Sequence, residues 1–338
     1  MTKTSDIHQE GTVVHGNNVT TVGDATIGHI GDMFNIASAY FNFSDKVSEV
    51  LLKEVLRDAQ GDYTAEKLSR KGDWEPETVL VPAGPFPMGS KRGDGIPEYE
   101  TTQFEMTLPA YRIGKYPVTN RQFVRFVEEF TEIGLPPAAW GWTEGNRPKD
   151  EAFDHPIKGV TWYEALAYCA WLSKETGRPY TLPSEAQWEK AARGEQGLLF
   201  PWGNDWHDGQ YCNTNHKQLA SIYKYDQPGM ISPYGCVDMV GNMREWTTTL
   251  WGRNRLHNLE LESAYPWRSK DSWQANNHQD RLKINRQIRR VTRGGTALLA
   301  HIPLRAARRQ SELPSWRGAR DNRIGFRVIL NWEGQHVE

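Results

Sequence analysis

Sulfur, imidazole and guanidinium are the groups through which this chain could act on another molecule. It carries three cysteines, Cys169, Cys212 and Cys236. Thiols suit nucleophilic, redox or soft-metal chemistry, but no two of these stand at zinc-ligand spacing, and three cannot form a disulfide framework. The ten histidines are dispersed (His8, His15, His29, His155, His207, His216, His257, His278, His301 and His336). His207 and His216 flank one loop, and no pair sits at i,i+4 on an expected helix, where two imidazoles would share a metal. No Ser/His/Asp set, phosphate loop or dinucleotide fingerprint is present. Guanidinium is concentrated instead: residues 281–327 hold 13 Lys and Arg against two acids, Glu312 and Asp321. That local excess of about +11 could attract phosphate. The whole chain of 338 residues has Lys+Arg 40 and Asp+Glu 42, a formal net charge of −2, so it is not a polycation built for nucleic acid.

The elements that must position these groups fall into three stretches. Residues 1–60 form a segment apart. Short β-branched pieces at 12–14, 19–22 and 25–27 lie between turn signals at Gly16-Asn17-Asn18, Gly23-Asp24 and Gly28, residues that tolerate positive φ. An amphipathic helix is expected over 37–59, with Phe43, Val47, Val50, Leu51 and Val55 on one stripe. Strands this short must stack on one another, on the main domain or on another copy, and the helix packs on its own domain or serves self-association or a partner. Residues 61–76 read as a polar linker. From 77 to 334 the pattern is short strands, many Gly and Pro, and three helices. These are expected at 120–129, capped by Thr119, at 162–176, between Thr161 and Gly177, and at 184–193, opened by Ser184 with Gln187 three residues on. Scattered strands with a few helices predict an α+β domain with long structured loops. The 14 tryptophans suit a loop-rich fold with large aromatic plugs, and Trp162, Trp171, Trp188, Trp202 and Trp246 are assigned to the core. No apolar run approaches the ~20 residues a spanning helix needs. With no apolar secretory run near residue 1, a cytoplasmic protein is expected.

A series of motifs then resembles one family. TVLVPAGPFPMGS (78–90) and IGKYPVTN (113–120) are followed by HPIKGVTWYEALAYCAWLSKETGRPYTLPSEAQWEKAARG (155–194). FPWGN (200–204), SPYGCVDMVGNMREWT (232–247), Arg293-Gly294-Gly295 and NRIGFRV (322–328) come after them in order. Together they span about 250 residues and are similar to the formylglycine-generating enzyme, or sulfatase-modifying factor, family. The resemblance implies a loop-rich variant of the C-type lectin fold. It implies a structural Ca²⁺ held by the side chains of Asp238 and Glu245 and the carbonyls of Gly241 and Met243, oxygen donors suited to that ion. The alternative is a carboxylate pair satisfied by a neighbouring arginine or by backbone amides. A second calcium loop of the family would begin at Asn213, where no acidic partner is found. Glu185 and Glu189, at the start of a helix whose dipole favours carboxylates, read as buried polar scaffold.

The same resemblance exposes a missing reagent. The family's enzymes oxidise a substrate cysteine with two cysteines of their own that bind copper, soft thiolate being what Cu(I) requires. Those thiols follow the Arg-Gly-Gly block. Here that segment reads RGGTALLAHIPLRAARRQ (293–310), with Leu299 where the first thiol would stand and no cysteine anywhere. No copper is expected. The iron-dependent sulfoxide synthases on this fold need a three-histidine set and an added helical domain, and neither is visible. Two stretches remain between framework elements, 296–304 and 310–321, a layout similar to the variable proteins of diversity-generating retroelements. A non-catalytic domain that binds a protein or other macromolecular ligand is therefore expected. Its surface would comprise Trp251, Trp273, Leu298, Leu299, His301, Ile302, Leu313, Trp316 and Arg317, where aromatic and arginine anchors would carry the energy. The alternatives are a formylglycine-generating oxidase acting on protein cysteine and a nucleic-acid binder. Against the latter, Arg293, Arg305, Arg308, Arg323 and Arg327 belong to the family framework. The insertion at 252–288 is polar and aperiodic, which marks a functional or disordered loop.

Overall fold

In the computed structural model each described helix begins on a capping box written in the sequence. Residues 12–15, 18–21, 72–91, 96, 103–132, 152–207, 209–214, 218–252, 289–295, 304–314 and 323–330 are described. Helix α1 (Asn120–Glu132) starts at Thr119, whose hydroxyl accepts from the Gln122 amide at 3.3 Å while Gln122 accepts from the Thr119 amide at 3.0 Å. Helix α2 (Trp162–Thr176) repeats this with Thr161 and Glu164, at 3.1 and 2.6 Å, and ends on Gly177 at φ 69. Helix α3 (Glu185–Arg193) does so with Ser184 and Gln187, at 3.2 and 2.9 Å. Each box satisfies two of the orphan amides of a first turn.

Around these helices lie short strands: β1 (Thr12–His15), β2 (Asn18–Thr21), β3 (Thr78–Val81), β4 (Gly84–Met88), β5 (Phe104–Leu108), β6 (Tyr111–Gly114), β7 (Tyr180–Thr181), β8 (Arg244–Gly252), β9 (Arg289–Arg293), β10 (Gln310–Glu312), β11 (Ile324–Gly325) and β12 (Ile329–Leu330). One sheet has the order β3-β6-β12-β7, so the last strand returns between two early ones and ties the domain's ends together. The second has the order β10-β9-β8-β11, antiparallel except for β11 on β8. Ribbon β4–β5 stands apart, as does hairpin β1–β2. The expected α+β domain is present, and the first two strands pair antiparallel up to His15 opposite Asn18. The helix expected over 37–59, the strand at 25–27 and the insertion at 253–288 lie outside the described residues.

Two features differ from the sequence expectation. Helix α2 is buried on nearly all sides, from Trp162 through Ser173, more than a helix at a domain surface would be. Its aromatic side chains meet α1 and the C-terminal strands, Tyr168 stacking on Phe123 at 5.7 Å and packing edge-on against Phe326 at 5.3 Å. Trp162, Trp171, Trp188 and Trp246 are core plugs as expected, whereas Trp202 is half-buried. Second, the segment read as linker is already domain near its end. Trp74 packs on Trp171 at 5.9 Å, and the fully buried Glu75 carboxylate accepts from Tyr180 at 2.7 Å and pairs with Arg178.

Candidate functional site

The C-terminal sheet determines where loops can project. Strands β9 and β10 pair antiparallel, Thr292 opposite Gln310 and Arg290 opposite Glu312. Segment 296–303 therefore leaves from one end of the sheet. Segment 315–322 leaves from the other end, beside the point where β8 runs into the insertion, and returns at β11 next to the start of β8. It thus comes back to the sheet end from which 296–303 departs. Close approach governs the exits. A Cβ on Gly295 (φ +78) would meet Leu304 at 2.7 Å, and one on Gly294 (φ +93) would meet the Met243 carbonyl at 3.1 Å. A larger side chain there would have to displace its neighbour and hold a left-handed backbone that favours glycine.

Beneath these exits runs a buried arginine–glutamate lattice. Arg309 makes a two-point contact with Glu185, Nε to Oε2 at 2.7 Å and Nη2 to Oε1 at 2.5 Å, and its guanidinium lies 4.9 Å from the Trp251 ring centroid. Arg293 pairs with Glu189 and donates to the carbonyls of Ala307 and Arg308 at 2.7 and 2.9 Å. Arg193 reaches the same Glu189 at 2.5 Å. Burial alone would raise the Glu189 carboxyl, but Arg293 and Arg193 hold it below the usual carboxylate range. Arg327 grips Glu245 with Nε at 2.6 Å and Nη2 at 2.7 Å, and also donates to the carbonyls of Gly114 and Val237, each at 2.9 Å. The Trp188 indole donates to Glu245 at 2.8 Å. Burial works against the Arg327 charge; Glu245 more than offsets that and raises its pKa. Two-point pairs of this kind restrict geometry as well as charge. They join α3 (Glu185, Glu189) to the segment between the loops.

The lattice accounts for much of the basic excess. Arg290, Arg293, Arg309, Arg323 and Arg327 are buried, and Arg289 is half-buried and pairs with Glu312 at 2.9 Å. Arginines spent on internal carboxylates and carbonyls do not release counterions from a phosphate backbone. Sequence reasoning identified Glu185 and Glu189 as scaffold but missed Arg309 and Arg293, their partners more than a hundred residues away. The arginine-rich run after Gly295 was the available signal.

Of the proposed surface, Trp251 and Leu313 are described. Trp251 is 3% exposed beneath Arg309, so it supports the loop exits from below instead of offering a face. Leu313 is half-buried just after β10. Trp273, Leu298, Leu299, His301, Ile302, Trp316 and Arg317 lie outside the described residues, as does His216. His207 stacks on Tyr211 at 4.1 Å.

All three cysteines of the chain are described, buried and unpaired with one another. Burial pushes the Cys169 thiol well up; it pushes Cys212 up to about 12, with Asp238 adding to the rise, and raises Cys236 against the pull of Arg327 and Ser232. A thiol held protonated in the core is a poor nucleophile and a poor copper ligand.

The donors of the expected calcium set are already engaged by protein groups. Both Glu245 oxygens already accept from Arg327, and one of them also from Trp188. Asp238 Oδ2 accepts from Asn242 at 2.9 Å, while Oδ1 has no hydrogen-bond partner. Burial pushes Asp238 up to about 7, against Asn242 and Arg327, which lower it. One oxygen and two carbonyls fall short of the six to eight donors Ca²⁺ takes, and the Arg327 charge lies against the shared carboxylate. Among the described residues no group of three or more His, Cys, Asp or Glu could hold a metal. The residues do not fit the ion, and the arginine alternative describes Glu245. Adding Ca²⁺ or EGTA is accordingly expected to leave the melting temperature unchanged, whereas stabilisation by millimolar Ca²⁺ would restore the metal reading.

A loop-rich α+β domain with few helices and short sheets has the formylglycine-generating-enzyme type of architecture. Residues 64–332 match the model of the sulfatase-modifying factor enzyme 1-like domain, and the chain belongs to that family. It is 31% identical over 262 residues to the serine/threonine-protein kinase Pkn1 of Chlamydia trachomatis, covering 74% of this chain and 38% of Pkn1. It is 29% identical over 253 residues to the uncharacterized protein YfmG of Bacillus subtilis, covering 64% of this chain and 47% of YfmG. The inactive C-alpha-formylglycine-generating enzyme 2 of Bos taurus is 29% identical over 217 residues, 51% of this chain and 70% of that one. The chain thus spans less than half the length of Pkn1 and YfmG. Among solved structures, PvdO from Pseudomonas aeruginosa aligns with a TM-score of 0.58 at 24% identity, over 77% of this chain and 96% of that one. Treponema denticola variable protein 1 aligns at 0.52 and 19%, over 75% and 94%. Both likenesses concern the fold.

Proposed function

We propose that this chain is a non-catalytic binding domain that recognises a protein or other macromolecular ligand through segments 296–303 and 315–322. The observation that carries the reading is the combination of an intact framework with Leu299 in place of the family's first active-site thiol and three thiols locked in the core. Rigid anchors beneath replaceable loops are how scaffolds commonly present recognition surfaces. The arginine–glutamate lattice supplies such anchors without drawing on the loop residues themselves. Leu299, His301, Trp316 and Arg317 are the anchors assigned to the contact, with Trp251 as their support. The layout shared with retroelement variable proteins extends the reading to diversified specificity; a reverse transcriptase gene beside a near-copy of the 3′ coding segment would mark it. Three unbridged cysteines accord with a reducing cytoplasm, and among the described residues no helix is long and apolar enough to cross a membrane.

The test pans a random peptide display library against the immobilised full chain and measures the selected peptides on Leu299→Ala, Trp316→Ala and Arg317→Ala. At least one variant is expected to weaken binding by roughly tenfold or more, as hot-spot truncation does, with an unchanged melting temperature. Peptides that bind all three variants like the parent would place recognition elsewhere and overturn the proposal.

A further inference from the structure

Residues 200–211 carry a row of aromatic rings. His207 stacks on Tyr211 at 4.1 Å, Tyr211 meets Trp202 edge-on at 5.7 Å, Trp202 stacks on Phe200 at 5.5 Å, and Phe200 packs against Trp206 at 5.2 Å. The turn that presents them is held from within. Phe200 and Gly203 exchange backbone hydrogen bonds at 2.9 and 3.2 Å, and the Trp202 indole donates to the Asp205 carbonyl at 3.0 Å. Trp202 and Trp206 pack on the core from one side and stay half-buried, while Asp205 and Leu199 are exposed. Elsewhere the chain covers indole faces with its own guanidinium groups, a favourable contact. Arg125, Arg290, Arg293 and Arg309 lie 4.5, 4.0, 5.6 and 4.9 Å from the ring centroids of Trp74, Trp162, Trp188 and Trp251. Trp171 and Trp246 are closed in the core. Over Trp202, Trp206 and Tyr211 no Lys or Arg lies among the described residues, and none pairs with Asp205. Residues 195–216 contain neither Lys nor Arg, against three acids, Glu195, Asp205 and Asp208.

We infer that this row receives an arginine side chain from a protein ligand, the guanidinium flat against the Trp206 indole and the Asp205 carboxylate supplying the counter-charge. Electron-rich rings beside unbalanced acids attract a cation. Arginine suits them better than lysine, because a planar guanidinium stacks on a ring and pairs with a carboxylate at once. The internally held turn fixes the rings beforehand, which lowers the ordering cost of binding. The row also adjoins the recognition segments: the Ala306 amide, just past segment 296–303, donates to the Leu199 carbonyl at 2.9 Å. The inference rests on the binding reading for its ligand and adds that ligand's chemistry, a protein surface that presents arginine.

The experiment labels the full chain with fluorotryptophan and follows it by fluorine NMR, the Trp202 and Trp206 signals being assigned through Trp202→Phe and Trp206→Phe. Two blocked tripeptides are titrated into the millimolar range: acetyl-Gly-Arg-Gly-amide, and the same peptide with neutral citrulline in place of arginine. The Trp206 signal is expected to move with the arginine peptide, at an affinity about fivefold above that of the citrulline peptide. Asp205→Asn, an exposed change that leaves the turn's backbone bonds in place, should weaken the arginine response about threefold and leave the melting temperature unchanged. A Trp206 signal that ignores the arginine peptide would overturn the inference. So would an equal response to citrulline, or an Asp205→Asn chain that titrates like the parent. The two readings fail separately. Selected peptides that depend on Leu299 or Trp316, beside a Trp206 signal indifferent to arginine, would leave the loop reading standing and overturn this one. An arginine response of the expected kind without any loop-dependent peptide would support the aromatic site and count against the loops.

Discussion

Arg327→Leu is expected to be among the most destabilising single substitutions in the described domain. Arg327 and Glu245 are both fully buried and joined at two points, and the same guanidinium satisfies the carbonyls of Gly114 and Val237. Removing the cation leaves a fully buried carboxylate without its counter-charge, although the Trp188 indole still donates to it. Breaking a buried pair from one side costs about 4 kcal/mol, which for a domain this size lowers Tm by about 10 °C. Glu245→Gln, added to Arg327→Leu, should give back part of the loss near neutral pH. If the double variant melts no higher than the single one, the orphaned charge is not the cause of the damage.

Gly325→Ala is the second large effect, and its cause is steric. Gly325 lies in β11 opposite Glu245, and a Cβ there would sit 2.3 Å from the Ile157 carbonyl oxygen, 2.4 Å from Met243 Cε and 2.7 Å from Met243 Sδ. The methionine could move aside. The carbonyl belongs to the backbone, and that segment is pinned two residues on, where the Gly159 amide donates to the Ile324 carbonyl at 2.9 Å. Overpacking against backbone of this kind costs about 3 kcal/mol. Met243→Ala in the same chain would clear the side-chain clash and leave the carbonyl one, so the double variant should stay well below the parent in thermal melting. Full recovery on shortening Met243 would show that the methionine, and not the backbone, excludes the methyl group.

These two positions show which parts of the molecule were legible in sequence. Helix starts were, because a capping box is settled within four residues: Thr161 and Glu164, Ser184 and Gln187 meet as their spacing requires. The enclosure of α2 was not, since an amphipathic stripe at Ala165, Leu166, Cys169 and Leu172 says nothing of what covers the opposite face. Here Trp171 lies on that face and packs against Phe126 of α1 and Trp74. Ion-pair partners were the hardest to read. Arg178 had Glu185 close by in sequence, yet it pairs with Glu75, more than a hundred residues away, in a stretch whose polarity suggested a linker. Glu185 pairs with Arg309, 124 residues on. Polar residues buried in complementary pairs look the same in composition as solvated ones. At the loops, the framework residues flanking Leu299 and Trp316 were legible from motif order, and the support role of Trp251 emerged from its place under Arg309.

The central claim is that the framework persists while the sulfur chemistry does not, and oxygen consumption tests it most directly. Purified full chain, loaded with Cu(I) and supplied with a cysteine-containing peptide and a thiol reductant, should consume oxygen no faster than copper with the peptide alone. The peptide's cysteine should remain unmodified by mass. Sustained copper-dependent uptake with conversion of that cysteine to an aldehyde, abolished by Cys212→Ser or Cys236→Ser in a chain that still folds, would contradict the account.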